Sequence, residues 1–227
     1  MAHGVPAFAV PEAALAAASH AAIEPPPAAE KSEVRRLPWI LPERGLAVFH
    51  GHPDVPRLFH YFLPRLMAQG KAVLCLDGAN RFDPLLIARL ARERSLDPGE
   101  FYRRIRVARA FTCFQLTELL VRAPQMLGKF PAAALMVTAV PDLYFDEDVR
   151  ESAAGVSFRR ALEALMALRA LPVAAAVFTD ATSFQTPRKH FFAQLRAQAT
   201  QISQFAATED GRLALLPHPA PLRASPR

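Results

Sequence analysis

Cysteine is scarce in this chain. Cys75 and Cys113 are the only two in 227 residues, which rules out a disulfide framework. Cys75 lies in the apolar run Val73-Leu74-Cys75-Leu76, where a buried thiol in a reducing compartment is expected. Long hydrophobic stretches are missing too: no run of uncharged apolar residues reaches the length of a helical membrane span. The first 22 residues are apolar, yet they lack the basic start of a secretory leader and are broken by Pro6 and Pro11. These absences point to a cytoplasmic protein with no membrane partner.

What is present suffices for one packed core. Hydrophobic residues make up 52% of the chain and charged residues 21%, an ordinary globular balance. The formal net charge of +6 is uneven: residues 1–36 hold three basic and four acidic side chains, so the remainder carries +7. A basic core favours nucleic acid or another polyanion as partner. Twelve of the first thirty residues are Ala, and Pro25-Pro26-Pro27 interrupts them, so 1–36 reads as a flexible tail. Residues 217–227, with Pro217-His218-Pro219-Ala220-Pro221, read as a second tail, leaving 37–216 as the core domain.

Within that core, apolar runs at Leu46–His50, Ala72–Asp77, Ile105–Ala110, Ala133–Val140 and Val173–Thr179 alternate with segments of helical period. Continuous apolar runs fit strands covered on both faces, as in a parallel sheet. Phe158, Leu162, Leu165 and Met166 form a helical stripe, and Pro187–Gln198 reads as the last helix. Gln201–Ala206 and Arg212–Leu216 flank Glu209-Asp210-Gly211 as a C-terminal hairpin. The expectation is an α/β domain with a doubly wound, mostly parallel central sheet.

In such folds ligands sit beyond the carboxyl ends of the strands, which directs attention to the loop Gly51–Leu58. From here on the chain resembles the RecA/RadA family of strand-exchange ATPases. The resemblance spans roughly 45–216. It is carried by Gly70-Lys71-Ala72-Val73-Leu74-Cys75-Leu76-Asp77, then Gly78-Ala79-Asn80-Arg81-Phe82-Asp83-Pro84. Arg106–Phe111 with Gln115-Leu116, Ala134–Thr138 and Val177–Asp180 continue it in the family's order. It implies a RecA-like fold and a place in DNA recombination, repair or damage tolerance.

The departures from the family bear on activity. Against the phosphate-loop pattern G-x-x-x-x-G-K-[ST], Gly51 is kept, but Pro56 replaces the second Gly, Arg57 the Lys and Leu58 the hydroxyl residue. Pro53 and Pro56 have no N–H for a phosphate, and Leu58 cannot hold magnesium. Thr138 stands where the family carries the Walker-B Asp, and Ala79 where it carries the catalytic Glu. Phosphoryl transfer depends on positioning and charge stabilisation, so a non-hydrolysing protein without a cofactor is expected. Family members lacking working ATP motifs imply a protein partner, of recombinase or translesion-polymerase type. The family's Phe-x-x-Ala docking segment is departed from in Phe8-Ala9-Val10-Pro11.

Other readings stay open. An NTPase could survive on Arg57, and the cluster His50, His52 and Asp54 has the ligand types of a metal-dependent hydrolase, though a fourth ligand is missing. Single-stranded DNA binding is the other candidate activity. Arg188, Lys189, Phe192 and Arg196 lie on the last helix, combining cations for phosphate with a ring for a base, but the same residues also read as core with a solvated rim. Arg103-Arg104-Ile105-Arg106 reads as a solvated strand entrance.

Overall fold

The computed structural model describes residues 41, 42 and 44–216. Both expected tails, including Phe8–Pro11, lie outside the described residues. Strands form where apolar residues run together: β1 is Gly45–His50, β2 Val73–Asp77, β4 Ala134–Thr138 and β5 Ala174–Phe178. Every residue in these four is buried, because helices cover both faces of the sheet. With β3 (Ile105–Arg109), β6 (Gln201–Ala207) and β7 (Leu213–Leu215) they make one seven-stranded sheet of order β3-β2-β4-β5-β1-β6-β7. All neighbours pair in parallel except β6 and β7, which are antiparallel through Phe205↔Leu215 and Ala207↔Leu213.

Strand side chains alternate between two cores. On one face α1 (Phe59–Ala68), α2 (Pro84–Arg92) and α3 (Pro98–Arg103) bury Phe59, Phe62, Ile87 and Phe101 against Phe49, Cys75 and Phe178. On the other, α4 (Cys113–Lys129), α5 (Glu151–Leu168) and α6 (His190–Gln198) bury Leu116, Leu120, Phe158, Leu165 and Phe191 against Leu46, Leu76 and Val137. Three helix starts are written locally. Asp83 and Asp97 precede Pro84 and Pro98 and accept from the first free N–H groups of α2 and α3, and Thr112 caps α4 in the same way. No described helix is long and apolar enough to cross a membrane.

Two expectations need correction. β3 is not covered on both faces: it is the sheet edge, and Arg106, Val107 and Arg109 are exposed there. The last helix begins at His190 rather than Pro187, because Arg188 is used to pin the incoming chain.

Candidate functional site

The loop after β1 is held by two devices. Gly51 has φ +117°, and a Cβ there would lie 2.3 Å from the Phe205 carbonyl oxygen, so glycine is required by the close approach of β6. Beyond it the loop turns on itself. Asp54 N–H donates to His52 Nδ1 (3.1 Å), Val55 N–H to the His52 carbonyl (2.9 Å), Arg57 N–H to Asp54 (2.9 Å) and Leu58 N–H to Val55 (2.9 Å). Pro53 and Pro56 have no N–H. From 53 to 58, therefore, each backbone donor is either missing or already spent inside the loop, and none converges on an anion.

The side chains follow suit. Pro56 and Leu58 are buried, whereas Arg57 is exposed and lines an open groove of about 570 Å³ with Tyr61, Leu85 and Arg89 on the α1–α2 side. His60 locks this corner. Its Nδ1 meets the Arg57 carbonyl at 2.8 Å and its Nε2 accepts from Asp83 N–H at 2.9 Å, which fixes a neutral ring with the proton on Nδ1. Burial lowers its pKa from the ordinary histidine value.

At the ends of β2 and β4 a hydrogen-bond network joins Asp77, Ala79 and Thr138, with the Arg109 guanidinium 3.9 Å from Asp77. Asp77 is buried. Its Oδ1 accepts from Thr138 Oγ1 (2.9 Å) and Arg81 N–H (3.1 Å), and its Oδ2 from Phe82 N–H (2.9 Å). Thr138 Oγ1 in turn accepts from Ala79 N–H at 2.9 Å. Thr138 thus ties two strand ends together.

Between the loops following β1, β2, β4 and β5 lies a crevice of about 420 Å³, lined in part by Pro53, Ala79, Arg81, Asp142, Asp180 and Phe184. Asp142 Oδ1 accepts from Thr179 Oγ1 and its Oδ2 from Asp180 N–H at 3.2 Å. Desolvation, and then the neighbouring Asp180 carboxylate, raise the Asp142 pKa well above the usual carboxylate value. Asp180 and Asp146 stand at the same wall with the single guanidinium of Arg81, so even without a charge on Asp142 the lining is acidic rather than a phosphate site. Asp142 is absent from the candidates drawn from the sequence, and Asp180 enters there only as the end of the run Val177–Asp180. The available signal was their place, each directly following or close behind a buried strand.

The remaining candidates scatter. Arg188 is not on a nucleic-acid face: it is 7% exposed and donates to the carbonyls of Tyr144 (3.0 Å), Asp146 (2.7 Å) and Val149 (2.5 Å). Phe192 is no stacking platform either, being buried edge-on against His50 with ring centroids 5.0 Å apart. Lys189 and Arg196 are exposed, and the Arg196 guanidinium lies 5.7 Å from the Phe192 ring centre. His50 is in the core, away from the His52–Asp54 turn, and among the described residues no group of three His, Cys, Asp or Glu side chains is placed to hold a metal ion. In comparisons with protein-family models and with curated proteins the chain found no match.

Proposed function

We propose that this chain is a non-catalytic RecA-like accessory protein of DNA recombination, repair or damage tolerance, acting by docking to a recombinase or translesion polymerase. The observation that carries the reading is the loop 53–58, whose backbone donors are all missing or internally consumed at the place where a phosphate cradle would stand. Three further features support it. The Thr138 hydroxyl is committed to Asp77 and to the Ala79 N–H, the crevice wall is acidic, and Arg57 lines a different groove. A contact with single-stranded DNA rests on Lys189 and Arg196 alone, the two exposed members of the original set.

The test has two arms. Purified protein is titrated with a fluorescent ATP analogue in magnesium and assayed for turnover with and without DNA. No saturable binding and no hydrolysis are expected, whereas hydrolysis that disappears in Arg57→Ala would replace this reading with an NTPase. Tagged protein is then recovered from its own cell after nuclease treatment. A recombinase or polymerase retained without DNA is expected, and recovery of neither would overturn the docking role.

A further inference from the structure

The two ends of the sheet differ in charge. At the carboxyl end the segment leading into α5 exposes Asp146, Glu147 and Asp148. At the amino end cations gather instead, around the starts of β2, β3 and β4. Val73 pairs with both Ile105 and Ala134, and Ala133 N–H donates to the Ala72 carbonyl at 2.9 Å. The loop holding Lys71, the run Arg103-Arg104-Ile105-Arg106 and the end of α4 with Lys129 therefore stand side by side, their backbones within about 10 Å at the usual strand spacing.

Contacts among these segments hold the surface in shape. Arg104 donates to the Gly70 carbonyl and fixes the loop beside Lys71. Arg106 reaches the carbonyls of Arg103 (3.5 Å) and Ile105 (3.4 Å), and its guanidinium carbon lies 4.8 Å from the ring centre of Phe130. Glu100 neutralises part of the run: Arg103 donates to it at 2.9 Å, and Arg104 Nη2 is 3.6 Å from its other oxygen. Lys71, Arg106 and Lys129 are exposed and have no carboxylate partner among the described residues. Arginine on β3 also blunts a sheet edge against stray pairing. That accounts for Arg106, but Lys71 lies in the loop before β2 and Lys129 on a helix, neither on the edge strand.

We propose that Lys71, Arg106 and Lys129 form a contact surface for single-stranded nucleic acid, the three cations tracking phosphates and the Arg106–Phe130 pair receiving a base. Unpaired cations beside a stacked ring and guanidinium match that partner, which offers a negative backbone and flat apolar faces together. A duplex is read by an element that enters a groove, and this surface of loops and strand starts projects none. The inference rests on the proposed role in DNA repair and deepens it, placing a nucleic-acid contact at the amino ends of the strands, separate from Lys189.

Fluorescence anisotropy of a labelled oligothymidylate of about 20 nucleotides, titrated with the full chain at several salt concentrations, tests it. The wild type is expected to bind with a log–log salt slope of about −2 or steeper, from three phosphate contacts on a single strand. Lys71→Ala, Arg106→Ala and Lys129→Ala are each expected to make that slope shallower by about 0.7, whereas Arg159→Ala, an exposed change on α5, leaves it unchanged. Arg106→Lys is expected to keep the slope but weaken binding about fivefold or more, because an ammonium cannot stack on a base as a guanidinium does. Circular dichroism confirms that these exposed changes leave the fold intact. No binding at ~0.1 mM protein in about 50 mM salt, slopes unchanged in all three folded variants, or a duplex of the same length bound more tightly than the single strand overturns the proposal. None of these results touches the docking role, which is read after nuclease treatment.

Discussion

His50 is 2% exposed, and neither of its ring nitrogens finds a hydrogen-bond partner among the described residues. Desolvation, and then the Arg196 charge, lower its pKa from 6.5 to about 4. The linkage has one sign. Above pH 6.5 the ring is neutral in both folded and unfolded chains and stability is unaffected. As the pH falls from 6.5 toward 4 the unfolded chain takes up a proton that the folded chain refuses, draining about 3 kcal/mol in all. Urea midpoints of wild type and His50→Leu are expected to diverge across that window, the variant losing less. The buried Arg188 makes a second case. Arg188→Ala strands three carbonyls, and a loss of about 3 kcal/mol in urea unfolding is expected at pH 7.5. Neither role was legible in the sequence, because what Arg188 meets lies 39 to 44 positions away and a basic residue beside an aromatic one looks like any cationic surface. The side chains at 56, 57, 58, 79 and 138, by contrast, can each be compared with a motif one residue at a time.

Among the elements, the strands were the most legible. Four of the five apolar runs are fully buried strands, since helices cover them on both sides and no polar residue interrupts them. β3 escaped that logic because edge position is a property of sheet order, which periodicity does not encode. The loop after β1 was half legible. Its prolines announced two missing donors, but the capture of the remaining N–H groups by His52, Asp54 and Val55 is a matter of turn geometry. Gly51 looked like a remnant of phosphate binding and is instead demanded by β6. Gly51→Ala is accordingly expected to lower stability by about 2–3 kcal/mol, read as a drop in thermal midpoint, under conditions where no nucleotide is present.

For the molecule as a whole, the doubly wound sheet followed from the alternation of runs, while the site did not, because its acidic crevice is assembled from four loops distant in sequence. Of the candidate nucleic-acid residues, Lys189, just before the last helix, and Arg196, on it, are exposed. If they track a nucleic-acid backbone, each change to Ala is expected to reduce the log–log salt slope of oligonucleotide binding by about one. Phe192→Leu, with its ring buried, is expected to leave that slope unchanged and to cost stability instead. A fluorescence anisotropy titration at several salt concentrations measures both.

The bond between Thr138 and Asp77 also works as a ratchet. A single exchange of Thr138 for Asp would set a second carboxylate against the one already buried 2.9 Å from the hydroxyl it replaces, and would remove the hydroxyl proton that Asp77 now accepts. Two like charges so close in a desolvated place destabilise the fold before any cation could reward the change. An Asp at 138 is therefore tolerated only together with a compensating exchange at 77, and the Thr138→Asp/Asp77→Asn pair is expected to be more stable than Thr138→Asp alone.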